Sequence, residues 1–186
     1  MKPESDTEWL HHAYPALFVR HRWGNITLTG FHVKPEWPDI DRIQSVNIVP
    51  FIGDRCMVIA LANGRVMLPG GTRELGETLL ETAQRELIEE AGVTFETCTP
   101  FGYWDSHSDD REPWRPFLMH PDFLRAVAYA EVTVIGRPSN PADAEQVDAV
   151  SLVTVDEAIA RFRRDRRPEL ADVYALATEL RSSDGR

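Results

Sequence analysis

Little in these 186 residues is suited to covalent cross-linking, to a membrane or to nucleic acid. There are two cysteines, Cys56 and Cys98, too few for a disulfide framework, and neither belongs to a C-x-x-C pair of the metal or redox type. No stretch approaches the ~20 consecutive apolar residues of a spanning helix, so no membrane partner is expected. The start, Met1-Lys2-Pro3-Glu4-Ser5-Asp6, lacks a basic segment followed by an apolar one, so no secretory signal is expected and a cytoplasmic location is. Basic residues are the minority, 20 Lys and Arg against 30 Asp and Glu, a net charge of −10. A surface built to neutralise duplex phosphates carries the opposite balance, so duplex nucleic acid is set aside as a partner. Gly 11 and Pro 13 are near average usage, which excludes collagen-like and low-complexity chains.

What is present suits one globular domain. The chain is 42% apolar and 27% charged, enough to bury a single core at this length. Residues 1–44 read as an N-terminal extension carrying Trp9, Trp23 and Trp37, with a helix around Trp9–Arg20 and a strand around Ile26–Val33. From residue 45 the pattern sharpens. The runs 46–49 and 57–61 are apolar, rich in β-branched residues and of strand length. Asn63-Gly64 precedes Val66-Met67-Leu68, and an Asn-Gly pair between apolar runs predicts a type I′ hairpin turn with φ > 0 at both positions.

Residues 78–91 predict a helix with Leu80, Ala83, Leu87 and Ala91 on its buried stripe and Gly92 as its C-terminal cap. Further strands are expected near 93–104, 123–134 and 149–153. Thr154-x-x-Glu157 is a capping box opening a helix at about 155–165. Pro168 suits the first turn of a last helix whose stripe is Leu170, Val173, Ala177 and Leu180. These elements sum to an α/β fold, a mixed sheet with helices layered on it.

Acids crowd residues 71–93: Glu74, Glu77, Glu81, Glu86, Glu89 and Glu90, opposed only by Arg73 and Arg85. At ~100° per residue, Glu86, Glu89 and Glu90 share an arc of about 100° on one helical face, roughly 130° from the expected apolar stripe. They are therefore expected to face outward. Water can screen such a face, but Mg²⁺ does better, since it prefers oxygen ligands and pairs carboxylates with substrate phosphates.

The spacing decides between these readings. From Gly71 the chain runs five residues to Glu77, seven more, then Arg85-Glu86-Leu87-Ile88-Glu89-Glu90-Ala91-Gly92-Val93. This resembles the Nudix box, G-x5-E-x7-R-E-U-x-E-E-x-G-U with U aliphatic, at every specified position. A chance match in a chain of this length is on the order of 10⁻⁷ or less. The resemblance implies a Nudix-like α/β/α sandwich over residues 45–186. It also implies hydrolysis of a nucleoside diphosphate linked to another group X, with Mg²⁺ or Mn²⁺ holding the pyrophosphate while water attacks one phosphorus.

By the same resemblance the metal ligands are Glu86 and Glu90, with Glu89 a third ligand or the base that activates water. The carbonyl of Gly70 is a further candidate ligand. Gly71 lets backbone approach phosphate or metal without a Cβ in the way. Arg85 and Glu77 are expected to pair and orient the glutamates, with Arg85 also a candidate for direct phosphate contact. A fourth acid from outside the box is expected at Glu145, with Asp109, Asp110 and Glu112 as rivals.

The stretch Asp105–Asp122 is long for a hairpin loop and therefore a candidate for function. Tyr103, Trp104 and Trp114 are candidates to stack a nucleobase, although strand core is the simpler role for the first two. The run Arg161–Arg167 sits at a predicted helix C-terminus, where cations suit the helix dipole. The partner expected is a small nucleotide, and a homodimer is open. Two other functions stay open: a nucleotide-sensing module without turnover, and a decapping-type enzyme on RNA 5′ ends for which the arginine run would be the footprint.

Overall fold

The two β-branched runs form the centre of the sheet. In the computed structural model, which describes residues 6–141 and 146–184, they are strands β3 (Ile43–Ile52) and β4 (Arg55–Leu61), preceded by helix α1 (Asp6–Ala13), β1 (His21–Trp23) and β2 (Ile26–Val33). Next come β5 (Val66–Met67), β6 (Gly70–Thr72), helix α2 (Leu79–Ala91), β7 (Val93–Ser108) and β8 (Asp122–Val134). The order closes with β9 (Val147–Thr154), α3 (Val155–Arg164) and α4 (Pro168–Asp184). The sheet runs β1-β2-β7-β8-β3-β4-β5, with β6 also paired to β3 and β9 to β4. β3 and β8 are parallel and the other pairs antiparallel. The mixed α/β sandwich expected from the sequence is the architecture observed.

Divided pairing of β3 opens the fold. Its last residues pair with β4 through Phe51↔Cys56 and Ile52↔Arg55, while Ser45, Val46 and Asn47 pair with Thr72, Gly71 and Gly70 of β6. One edge of β3 is thus taken by β8 along its length, while the other edge carries β6 at its start and β4 at its end, and α2 follows from β6.

Two cores lie on opposite faces of the sheet. One packs α2, through Leu79, Ala83 and Leu87, on Val46, Ile48, Ala126 and Ala130. The other packs α3 and α4, through Phe162, Leu170, Val173, Tyr174 and Ala177, on Val49, Phe51, Val127 and Trp104. Alternation along β3 and β8 sends neighbouring residues to opposite cores.

Three local expectations change. The stripe on α2 is entered through Leu79, 3% exposed, whereas Leu80 is 47% exposed. The hairpin after β4 has φ > 0 only at Gly64, not at Asn63. Leu61 C=O accepts the Gly64 N–H at 2.8 Å and its own N–H donates to Arg65 O at 2.9 Å, so the loop has one residue more than a type I′ turn and uses Gly64 as a bulge. Strand β7 runs on to Ser108, which shortens the loop before β8. The described part of the N-terminal extension, residues 6–44, also joins the sheet: β2 pairs with β7, and Tyr14, Leu17, Leu28 and Phe31 are buried in the α3–α4 core. Among the described residues no helix is long and apolar enough to cross a membrane.

Candidate active site

Helix α2 is held at both ends by its own sequence. Thr78 Oγ1 accepts the Glu81 N–H and Glu81 accepts the Thr78 N–H, a reciprocal cap; Gly92 ends the helix in the left-handed region at φ +67. Glu81 is thus a capping residue, not part of a charged site. With both ends fixed, the glutamates on α2 sit in one rotational setting over β6.

That setting is not outward. Glu86 is 8% and Glu90 6% exposed, because they flank Leu79 and Ala83 rather than lie opposite them. The helix turns them onto the glycines of β6. Glu90 accepts the Gly70 N–H at 2.9 Å. A Cβ on Gly71 would fall 2.3 Å from Glu86 Oε1, so the carboxylate occupies space that only glycine leaves open. Gly70 is constrained separately: its φ is +139 and a Cβ would meet Val46 O at 2.3 Å.

Arg85 organises the carboxylates. Its Nε donates to Glu77 Oε1 at 2.7 Å and Nη2 to Glu77 Oε2 at 3.0 Å. Nη1 donates to Glu86 Oε1 at 2.8 Å and Glu89 Oε2 at 3.3 Å, and Nη2 also reaches Thr72 O at 3.0 Å. A guanidinium has five N–H donors, and all five are engaged, so direct phosphate contact would need one of these bonds to break. Glu77 further accepts the Glu74 N–H and the Thr82 hydroxyl, both at 2.9 Å. The Arg85 hydrogen bonds, aided by these, hold the Glu77 carboxyl at about 2 against burial. Glu86 is driven the other way: burial raises it, and Arg85 only partly opposes that.

Arg85, Glu86, Glu89, Glu90 and the glycines of β6 line a cleft of about 350 Å³ between β6, α2 and the end of β5. Among the described residues, no three His, Cys, Asp or Glu side chains already stand in the arrangement of a filled ion site, since Arg85 draws Glu86 and Glu89 to itself. The donor set is nonetheless of the right chemistry for a hard dication: carboxylates from one helix above backbone that carries no Cβ.

A family model described as the NUDIX domain matches residues 42–176. The chain belongs to the Nudix family. It is 34% identical over 92 residues to "Nudix hydrolase 17, mitochondrial" of Arabidopsis thaliana, covering 43% of this chain and 50% of that protein; the chain therefore spans about half the length of this curated relative. Solved structures share the fold. A Nudix hydrolase from Nitrosomonas europaea superposes with TM-score 0.53 at 17% identity, covering 78% of this chain and 90% of that one. A variant of the Bacillus subtilis pyrophosphohydrolase BsRppH gives TM-score 0.52 at 15% identity over 73% of this chain and 77% of that one. A protein described as an ADP compounds hydrolase gives TM-score 0.52 at 19% identity, over 76% and 74%.

The remaining candidates of this Nudix chain separate cleanly. Trp114, 80% exposed, stands at the cleft beside Arg115, whose Nη2 reaches Glu74 Oε1 at 3.2 Å. Trp104 is fully buried, packed edge-on against Phe31 and Trp23 at 4.9 and 5.7 Å, so it has no open face to stack a base. Tyr103 points to the opposite side of β7, where its ring stacks on His32 at 4.8 Å, away from the cleft. Of the rival acids, Asp109 pairs with Arg22 at 2.7 Å and Asp110 accepts Asn25 Nδ2 at 2.9 Å, both in the β1–β2 hairpin, and Glu112 is exposed. Glu145 lies outside the described residues. The arginine run is not uniformly solvated: Arg167 is 8% exposed and bound to Glu169 at 2.6 Å.

One cleft residue escaped the sequence reading. Arg125 of β8 lines the cavity with the glutamates. Its signal was available, a single charge inside the apolar run 123–130, which is the pattern of a buried polar residue with a task.

Proposed function

We propose that this chain is a divalent-metal-dependent hydrolase of a pyrophosphate linkage in a small nucleoside diphosphate derivative, with Mg²⁺ or Mn²⁺ as the ion. The observation that carries this reading is the placement of Glu86 and Glu90, buried yet turned onto glycines that leave room beside them. Burying two carboxylates on a helix face costs several kcal/mol unless a cation or strong hydrogen bonds offset it. Arg85 offsets part of that for Glu86.

Glu86 and Glu90 would hold the ion, with Glu89 as a third ligand or as the base that takes a proton from the attacking water, and Gly70 C=O as a further candidate oxygen. The ion would neutralise charge on the phosphate oxygens and acidify water. Arg85 acts as a positioning residue: gripped on both oxygens of Glu77 and anchored to Thr72 O, it fixes where the carboxylates of Glu86 and Glu89 can stand. The glycines of β6 let backbone approach closely, and Trp114 at the mouth offers a ring to a base or sugar.

The test is incubation of the purified chain with a panel of nucleoside diphosphate derivatives, with Mg²⁺, with Mn²⁺ and with chelator, and identification of products. Release of two phosphorylated fragments only in the presence of metal supports the reading. Binding without cleavage would favour a sensor, and faster cleavage of triphosphorylated or capped RNA than of small nucleotides would overturn the substrate class.

A further inference from the structure

Buried polar atoms without a partner gather on one patch of the sheet. Ser45 Oγ, Asn47 Oδ1, Trp104 Nε1, Ser106 Oγ and Arg125 Nε have no hydrogen-bond partner among the described residues. Strand register sets them side by side. Ser45 lies opposite Arg125 across β3 and β8, and Arg125 lies opposite Trp104 across β8 and β7. Asn47 and Ser106 lie on the same face two residues to either side, level with Val127 and Phe123 of β8. Native interiors leave few such atoms, and each costs free energy unless something meets it. Five adjoining ones on a single face mark a place where something polar belongs.

Arg125 gives that place its sign. Its guanidinium has no ion pair among the described residues; its neighbours are the Trp23 ring at 5.2 Å and, over the same ring at 4.4 Å, the guanidinium of Arg167. Arg167 has Glu169 as counter-ion, and its Nη2 is also unpartnered. Burial, with Arg167 adding to it, lowers Arg125 to about 10. A guanidinium desolvated beside a second cation is poorly compensated by protein alone. Arg125 also lines the cleft that holds Glu86, Glu90 and Gly70, so its charge borders the same cavity as the carboxylates.

We propose that Arg125, backed by Arg167 and flanked by Ser45 and Trp104 Nε1, is a subsite for a phosphate group of the substrate that lies outside the carboxylate cradle. The subsite rests on the hydrolase reading for its substrate but not for its chemistry: guanidinium, hydroxyl and indole N–H are all donors, the set an oxyanion takes. It would select a nucleotide derivative carrying charge beyond the anhydride being cut. Trp23, from the segment before residue 44, would act through Arg125 as its platform, which gives that segment a part in specificity.

The two sites can be separated with chelator present. Without metal the glutamates repel an anion, so binding of inorganic pyrophosphate to the full chain, followed by calorimetry in EDTA, reports the arginine subsite alone. Wild type should bind, and Arg125→Gln should weaken binding roughly ten- to a hundredfold, the loss of a charged hydrogen-bond partner, with near-UV circular dichroism unchanged. Glu86→Gln should bind at least as tightly, having lost a repelling charge. No binding by wild type, or equal affinity in Arg125→Gln, would overturn the proposal. If Arg125→Gln does not fold, Arg125→Lys is read instead, and it too should bind more weakly because it lacks the planar fork; unchanged affinity there would overturn it. Failure of the hydrolase reading shows elsewhere, as the absence of metal-dependent cleavage of nucleoside diphosphate derivatives by the wild-type chain.

Discussion

Adjacent glycines of β6 should fail in different ways when each is given one methyl group. At Gly71 the three atoms nearest the added Cβ all belong to the end of the Glu86 side chain, Oε1 at 2.3 Å, Cδ at 2.5 Å and Oε2 at 2.7 Å. Ordinary contact begins at 3.4 Å, so the carboxylate has to retreat by about 1 Å, a displacement that can cost ~10²-fold in rate at a reacting centre. None of these three is backbone, and the stability cost is that of loosening the 2.8 Å bond from Arg85, about 1–2 kcal/mol. At Gly70 the obstacles are backbone, Val46 O at 2.3 Å and Asn47 Cα at 2.6 Å, and φ is +139. Overpacking of about 1–3 kcal/mol and a disfavoured backbone of about 1–3 kcal/mol add to about 4 kcal/mol. For a chain of this size that lowers Tm by about 10 °C. Urea and thermal melts of both variants, read beside turnover at a fixed metal concentration, test the pair. Gly71→Ala with wild-type turnover, or Gly70→Ala as stable as wild type, would refute the assignment of Glu86 to the space beside Gly71 and of Gly70 to the sheet register.

Three other outcomes follow from the same geometry. Glu77 titrates at about 2 in the fold against 4.5 when unstrained; a lowered carboxyl stabilises above pH 4.5 and loses that contribution as pH falls from 4.5 to 2. The difference is worth at most about 3 kcal/mol, and Glu77→Gln should flatten stability across that window in acid titrations followed by circular dichroism. Glu86→Gln and Glu90→Gln should lower turnover by several orders of magnitude, while thermal melts of Glu86→Gln stay within about 1 kcal/mol of wild type, because a neutral amide escapes the burial penalty as it gives up the Arg85 contact. Burial raises both thiols, Cys56 and Cys98, to about 12, so neither should react with a disulfide reagent at pH 8 until denaturant is added; rapid labelling of the folded chain would contradict the packing of β4 and β7.

The box was legible because its chemistry is local. Seven residues between Glu77 and Arg85 bring a guanidinium back onto a carboxylate, and the helix from Leu79 fixes the relative positions of Glu86, Glu89 and Glu90. The orientation of that helix was not legible in the same way. Spacing alone put the glutamates roughly opposite the leucines, yet Leu79 rather than Leu80 enters the core, and a shift of one residue turns a helix by ~100°. That is enough to move Glu86 and Glu90 from solvent onto β6. The cap that holds this rotation was present as Thr78-x-x-Glu81, the same pattern correctly read at Thr154-x-x-Glu157. Contacts over long separations were the least readable: nothing near Trp23 in the chain points to Arg125 of β8 or to Arg167 of the α3–α4 connection, which both meet its ring.

The arrangement of charge explains why one cleft can hold groups that would repel or neutralise each other if placed at random. Arg85 lies on the same helix as the acids and spends its donors on them, so it tunes their positions without presenting free positive charge to a ligand. Arg125 lies across the cavity on β8 and, among the described residues, has no carboxylate of its own, which leaves its charge available. Exchanging the two roles would fail on both counts: an unpaired arginine within the acid cluster would collapse onto the carboxylates and compete with a metal ion, and a paired one on β8 would hold no anion. An anionic substrate bound to a dication needs both, acids to grip the ion and a separate cation for charge the ion does not reach. The division follows from topology, since β3 carries β6 and α2 on one side and β8 on the other, and the cavity lies where these meet.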